Sequence, residues 1–91
     1  MATTRYVVSF TGNVQGVGFR MTCIMEASGL PVHGFVRNEV NGSVTMDIDA
    51  SPADAKELIR RIKIARKSYI DNVFVDEQPS LDRDGGFQIK S

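Results

Sequence analysis

The order of two hydrophobic repeats along the chain constrains the fold more than any other feature of the sequence. Apolar residues at every second position indicate strands, and apolar residues three or four positions apart indicate helices. The repeats occur as strand, helix, strand, strand, helix, strand within 91 residues. A chain of this length forms one hydrophobic core. We therefore predict a single domain over residues 1–91 in which two helices cover one face of a sheet.

The residues that carry the repeats give the predicted bounds of the elements. Strands are predicted over residues 5–11, 32–38, 43–50 and 70–77, with a short fifth strand over residues 87–89. The first helix is predicted over residues 19–28, where Gly29 supplies the C-cap and Pro31 prevents continuation. The second helix begins at Ser51, a favourable N-cap, followed by Pro52 in the first turn. The predicted fold class is α+β, a ferredoxin-like β-α-β-β-α-β sandwich with an antiparallel sheet and two helices on one face.

The strand predicted over residues 43–50 alternates between apolar and polar side chains. Its polar set is Thr45, Asp47 and Asp49. We expect the apolar set to lie in the core and the polar set to lie in water. A sheet face that exposes two carboxylates would repel an RNA backbone, which argues against a ferredoxin-like RNA binder.

The charge balance also argues against nucleic-acid and membrane-surface binding. Eleven basic and eleven acidic residues give a formal net charge of zero, whereas such binders carry a basic excess. The basic run RRIKIARK, residues 60–67, is interpreted as a solvated helix face whose cations are favoured by the helix dipole near its C-terminus. A nucleic-acid patch is the alternative interpretation of this run. We expect no nucleic-acid partner and no membrane partner.

The single cysteine and the single histidine limit the chemistry of the chain. Cys23 cannot form an internal disulfide, and together with His33 it cannot build a zinc cluster. Cys23 has the spacing of a core residue in the first helix, so we predict an inert thiol. The sequence contains no signal peptide and no 18-residue apolar segment. We expect a cytoplasmic monomer without metal or cofactor.

The stretch GNVQGVGFR, residues 12–20, follows the first strand and opens the first helix. Backbone N–H groups of a curved glycine-rich loop can point into one concavity that binds anions, and a helix N-terminus adds further N–H groups. Arg20 in the first helical turn opposes the helix dipole, but it becomes favourable beside a phosphate, which a guanidinium grips in a fork. The glycines match neither a Walker loop nor a dinucleotide-binding loop. The pattern indicates an anion site, and a tight turn followed by a surface arginine is the alternative.

Two motifs carry a resemblance to a known family. GNVQGVGFR resembles the acylphosphatase signature G-x-V-Q-G-V-x-F-R at every fixed position. GFVRNEVNGSV, residues 34–44, resembles the second motif of that family, G-W-V-R-N followed by a turn and G-x-V. The motifs align without a gap between them, and Phe87-x-Ile89 is similar to the C-terminal strand of the family. The resemblance covers nearly all of the chain.

The resemblance implies hydrolysis of acyl phosphates, small-molecule mixed anhydrides, to a carboxylate and inorganic phosphate. It implies Arg20 and Asn38 as catalytic residues, with Asn38 holding the nucleophilic water. It implies a phosphate-binding loop that consists of Val14, Gln15, Gly16, Val17, Gly18, Phe19 and Arg20. The residue types agree, because the reaction needs neutralised phosphoryl oxygens and an aligned water rather than a metal or a strong acid. A non-catalytic acylphosphatase-like module that binds a phosphate-bearing ligand or a partner is the alternative.

We expect separate roles for four side chains that lie in or next to the two motifs. Gln15 is expected either to line the mouth of the loop or to make a structural hydrogen bond. Phe19 is predicted to anchor the helix in the core, and Arg37 to be exposed and non-catalytic. His33 lies outside both motifs and is not expected to be a catalytic base.

Overall fold

A computed structural model describes residues 2–91, so Met1 of the predicted domain lies outside the described residues. The elements are β1 (Thr4–Gly12), α1 (Phe19–Glu26), β2 (His33–Asn38), β3 (Val44–Ala50), α2 (Pro52–Ala65), β4 (Ile70–Gln78) and β5 (Phe87–Ile89). Their order is the predicted one, and no strand end differs from its predicted position by more than one residue. The first helix ends earlier than predicted, at Glu26. No helix in residues 2–91 is long and apolar enough to cross a membrane.

The strands form one sheet in the order β4-β1-β3-β2-β5. The first four of these pair antiparallel, whereas β5 pairs parallel with β2. The ferredoxin-like α+β class is therefore confirmed, but the prediction of a wholly antiparallel sheet is wrong for the fifth strand. The chain leaves β4 at one edge and crosses the sheet before β5 begins, so β5 runs in the same direction as β2.

One hydrophobic core lies between the sheet and the two helices. Alternate strand residues such as Val8, Met46 and Val36 face one another across neighbouring strands and are fully buried. Phe19 of α1 and Leu58 of α2 pack into the same cluster. Burial of each such side chain stabilises the fold by about 1.5–3 kcal/mol. Because the core residues form one cluster, both helices lie on one face of the sheet, as predicted.

The start of α2 follows the predicted capping chemistry. Ser51 Oγ accepts a hydrogen bond from the backbone N–H of Asp54 at 3.2 Å, and Pro52 is the first helical residue. This cap satisfies one of the N–H groups that have no partner within the helix. The buried face of α2 consists of Ala55, Leu58 and Ile62, and it ends before the last residue of the helix, because Ala65 is exposed.

The outer face of β3, opposite the helices, differs from the prediction. Asp47 and Asp49 are predicted to lie in water, and this is wrong, because they are only 7% and 1% exposed. Residues 79–86, which connect β4 to β5, cross the outer face over β3 and cover both carboxylates; we call them the crossing segment. Arg5 and Arg83 pair with Asp47, and Arg83 also pairs with Asp49 at 3.1 Å. The crossing segment is therefore fixed to the sheet by charged contacts.

Both buried carboxyls keep their charge at neutral pH. Burial by itself would raise the pKa of each, but hydrogen bonds oppose this effect. The side chains of Arg5 and Arg83 hold the pKa of Asp47 below its ordinary value, and the N–H groups of Arg83 and Leu81 do so for Asp49. The outer face of the sheet therefore carries paired carboxylates under the crossing segment. The expectation that free carboxylates on this face repel an RNA backbone is wrong.

Candidate active site

The loop between β1 and α1 turns on glycines with positive φ. These angles are +125° at Gly12, +77° at Gly16 and +75° at Gly18, the left-handed N-cap of α1. A Cβ atom at Gly12 would lie 2.4 Å from the carbonyl oxygen of Tyr69 and 2.7 Å from the backbone nitrogen of Asp71. Side chains larger than hydrogen would strain this path, so the loop requires its glycines.

The loop opens into a cleft of about 270 Å³. The cleft is lined by Val14, Gly16, Gly18, Phe19, Arg20, Met21, Asn38 and Ile89. It brings Arg20 and Asn38 to one site although they lie 18 positions apart in the sequence. Among these lining residues, all in the described part of the chain, only Arg20 carries a charge. The cleft therefore favours an anion, because no lining carboxylate opposes it.

Arg20 lies in the first turn of α1 and is partly exposed. No acidic residue occupies that turn, and within residues 2–91 the guanidinium forms no salt bridge. A cation at a helix N-terminus opposes the helix dipole, which costs stability. The same placement favours binding of a phosphate, because the guanidinium and the N-terminal N–H groups then share one anion.

Asn38 ends β2 and is followed by a hydrogen-bonded turn. It pairs with Val44 of β3, and the backbone N–H of Glu39 donates to the carbonyl oxygen of Ser43 at 2.9 Å. The Oδ1 atom of Asn41 accepts from the N–H and the hydroxyl of Ser43 at 3.0 and 2.7 Å. Asn38 therefore lies at a fixed strand end rather than in a long loop.

Gln15 makes the structural hydrogen bonds that were one of its two expected roles. Its Nε2 atom donates to the carbonyl oxygens of Glu39 and Ser43 at 2.7 and 2.9 Å. The bonds connect the glycine loop to the turn that follows Asn38, so the side chain of Gln15 does not line the cleft. Val17 also lies outside the cleft lining and packs, partly buried, against the core.

The apolar residues of the loop anchor it in the core. Phe19 is 2% exposed, and its ring centroid lies 5.1 Å from that of Phe10 at an interplanar angle of 60°. This is a favourable tilted geometry for two aromatic rings. Val14 is also buried. Phe19 thus has the anchoring position that the sequence predicts, and the loop backbone is left to face the cleft.

The remaining reactive side chains lie away from the cleft. Cys23 is fully buried, and burial raises the pKa of its thiol to about 12, in agreement with an inert core residue. His33 begins β2, and its Nδ1 atom hydrogen-bonds with the carbonyl oxygen of Gly85. The rise from His33 to Asn38 along the strand is about 17 Å, so His33 does not reach the site. Arg37 pairs with Glu39 at 2.9 Å and its side chain is 41% exposed.

Two cleft residues were not recognised as such from the sequence. Met21 is 53% exposed and Ile89 is 40% exposed, and both contribute apolar surface to the cleft. Met21 could have been found as the residue after Arg20. Ile89 could not be placed, because its position depends on the parallel pairing of β5 with β2, in which it lies opposite Val36.

Known proteins share both the sequence and the fold of this chain. It is 39% identical over 88 residues to an acylphosphatase from Salinibacter ruber, with 94% of this chain and 92% of that protein covered. It is 38% identical over 73 residues to an acylphosphatase from Bifidobacterium longum, with 79% of this chain and 75% of that protein covered. The crystal structure of acylphosphatase from Bacillus subtilis has a TM-score of 0.87 and 28% identity, with 97% of this chain and 99% of that chain covered.

The match extends over both motifs and the strands that carry them. The family model described as acylphosphatase covers residues 6–89, which include the glycine loop, Arg20, Asn38 and β5. The resemblance seen in the two motifs is therefore confirmed over the whole fold. The chain belongs to the acylphosphatase family.

Proposed function

We propose that this protein hydrolyses acyl phosphates to a carboxylate and inorganic phosphate, with the phosphoryl group held by residues 14–20 and the water oriented by Asn38. Membership of the acylphosphatase family supports the reaction. The residue roles are supported by one observation: Arg20 and Asn38 line the same cleft, beside the left-handed glycines.

The first role is neutralisation of the phosphoryl oxygens. Arg20 supplies a planar cation, and the glycine loop and the α1 N-terminus supply backbone N–H groups. Charge develops on the phosphoryl oxygens and on the leaving oxygen during transfer. Each preorganised donor in such a site contributes about 3 kcal/mol to transition-state stabilisation. A carboxylate is a good leaving group, so the reaction proceeds without a strong general acid.

The second role is alignment of the water opposite the leaving group. The carboxamide oxygen of Asn38 accepts a hydrogen bond from the water, so that the oxygen of the water is directed at phosphorus. The new bond joins the water oxygen to phosphorus, and the bond between phosphorus and the acyl oxygen breaks. The proton of the water passes to a phosphoryl oxygen of the substrate, because an asparagine is too weak a base to take it. The products are a carboxylate and protonated inorganic phosphate.

The apolar wall of the cleft is suited to the acyl group. Met21 and Ile89 present exposed apolar surface next to the phosphate-binding loop. The charged phosphoryl group would occupy the Arg20 side of the cleft, and the acyl chain would lie against this wall. The partner is thus a small molecule, and we propose that the protein acts as a monomer without a metal.

Hydrolysis of an aryl acyl phosphate with metal chelated tests the proposal. Native protein is compared with Arg20→Ala and Asn38→Ala, and the exposed Arg60 and Asn72 provide the matched controls Arg60→Ala and Asn72→Ala. Arg20→Ala is expected to weaken phosphate binding and to lower kcat/KM by roughly 10²–10³-fold. Asn38→Ala is expected to bind phosphate normally and to lose kcat. The two control variants are expected to retain activity.

The alternative role as a phosphate-binding or partner-binding module gives a different result. Native protein would then release no carboxylate, although inorganic phosphate would still raise the temperature of thermal unfolding. That outcome would remove the enzymatic proposal and keep the binding site. Native-like turnover of folded Arg20→Ala or Asn38→Ala would instead contradict the assigned roles.

A further inference from the structure

Residues 66–69, the segment that connects α2 to β4, brace the first end of the glycine loop. The carbonyl oxygen of Tyr69 accepts a hydrogen bond from the backbone N–H of Asn13 at 2.9 Å. A Cβ atom at Gly12 would collide with the same carbonyl oxygen at 2.4 Å. The backbone of this segment therefore packs directly against the point where β1 enters the loop.

The same segment reaches the second end of the loop through a side chain. The Nε atom of Arg66 donates to the hydroxyl of Thr22 at 2.9 Å. The Thr22 hydroxyl in turn donates to the carbonyl oxygen of Gly18 at 3.1 Å. The Nη2 atom of Arg66 lies 3.7 Å from the position that a Cβ atom of Gly18 would occupy. Arg66, Thr22 and Gly18 thus form a hydrogen-bonded relay from the end of α2 to the N-cap of α1.

Arg66 is itself held in place by Tyr69, and within the described residues its guanidinium is not paired with a carboxylate. Its guanidinium carbon lies 5.6 Å from the ring centroid of Tyr69, and its carbonyl oxygen accepts from the Tyr69 N–H at 3.0 Å. Within residues 2–91 it forms no salt bridge. Thr22 is only 8% exposed, so the hydroxyl that links the two ends of the relay is largely shielded from water, whereas Arg66 is partly exposed.

We propose that Arg66 is a positioning residue for phosphate binding, acting through Thr22 on the Gly18 peptide. The carbonyl oxygen of Gly18 accepts from both the backbone N–H and the hydroxyl of Thr22, at 3.0 and 3.1 Å, so Thr22 orients this peptide. The N–H groups that follow at Phe19 and Arg20 belong to the proposed phosphate-binding loop. Rotation of the Gly18 peptide would misalign these donors, and small displacements of binding groups lower rates strongly. The inference rests on the proposed function, because it assigns a support to the same site.

Phosphate affinity and steady-state kinetics of relay variants test the inference. Arg66→Met removes the charge and the donor, and Thr22→Val removes the hydroxyl with little change of shape. Each is expected to weaken inorganic phosphate binding and to raise KM by about five- to tenfold, the loss for one hydrogen bond. The double variant is expected to lose no more than either single one, because both substitutions interrupt one relay. Thr22→Ser is expected to restore native affinity.

Lys67→Met is the matched control. Lys67 is the next residue, carries the same charge and is exposed, so its loss is expected to change phosphate affinity by less than about twofold. Equal loss in Lys67→Met and Arg66→Met would overturn the relay and assign the effect to general charge. Native affinity and native kcat/KM in folded Arg66→Met would also overturn it. Thermal unfolding of every variant shows which are folded at the assay temperature.

Failure of the proposed function gives a distinct pattern. If native protein binds phosphate without hydrolysis and Arg66→Met weakens that binding, the positioning role is kept and the enzymatic role is lost. If native protein hydrolyses acyl phosphates and Arg66→Met is unchanged, the positioning role alone is lost. A native protein that neither hydrolyses acyl phosphates nor binds phosphate overturns both.

Discussion

Replacement of Asp49 by asparagine tests how strongly the crossing segment is held on the sheet. The carboxylate is 1% exposed and accepts hydrogen bonds from the N–H of Leu81 at 3.2 Å and from the N–H and Nε of Arg83, both at 3.1 Å. Asparagine keeps the shape of the side chain, but it has one acceptor oxygen in place of two and no charge. The variant therefore faces the same donors with fewer acceptors.

The magnitude follows from these contacts. A hydrogen bond to a charged group contributes about 1.5–3 kcal/mol, and the burial cost of the carboxylate, which asparagine avoids, offsets part of the total. We expect Asp49→Asn to lower the free energy of unfolding by about 2–3 kcal/mol at neutral pH. For a domain of this size the midpoint of thermal unfolding should fall by roughly 10–20 °C.

The effect should depend on pH with a defined sign. The pKa of Asp49 is lowered in the folded protein, so its contribution to stability is present above the ordinary value of 3.8 and is lost as the pH falls through the lower folded value. The variant lacks this carboxyl. The difference in stability between native protein and Asp49→Asn should therefore narrow as the pH falls below 3.8.

Urea unfolding of both proteins at neutral pH and at about pH 3, in phosphate-free buffer, provides the measurement. Asp84→Asn is the control, because Asp84 is exposed in the same crossing segment, and it should change stability by less than about 0.5 kcal/mol. A loss in Asp49→Asn below about 1 kcal/mol at neutral pH would refute the reasoning. So would a larger loss that is identical at both pH values.

Two further predictions concern the loop and the core. Gly12→Ala should destabilise the protein by roughly 2 kcal/mol more than Gly42→Ala, because both glycines have positive φ but only the first has backbone atoms within 3 Å of the added Cβ. Equal losses in urea unfolding would contradict the close packing of the loop against the backbone of Tyr69 and Asp71. Cys23 should resist alkylation by iodoacetamide at mild alkaline pH until the chain unfolds, because it is buried and its pKa is raised to about 12. If mass spectrometry detects rapid alkylation of Cys23 in the folded protein, the thiol is accessible and this prediction is wrong.

Local chemistry explains which parts of the protein the sequence predicts well. The helix and strand repeats reflect which side of each element faces the core, so they placed every element and the class of the fold. The Ser51 cap depends only on residues within one helical turn. The glycine loop, Arg20 and Asn38 were identified because each lies within a short motif. Their meeting in one cleft follows from the neighbouring positions of β1, β3 and β2 in the sheet.

Contacts between distant segments explain the errors and omissions. The alternation in β3 predicts water around Asp47 and Asp49, but it carries no information about a segment more than 30 positions later that covers them. The parallel pairing of β5, and with it the place of Ile89 in the cleft, depends on the same crossing path. The sequence alone determined the elements and supplied the chemical groups of the candidate site, because periodicity and motifs are local. Only the tertiary structure decided what covers the sheet and what braces the loop, because those contacts join residues far apart in the chain.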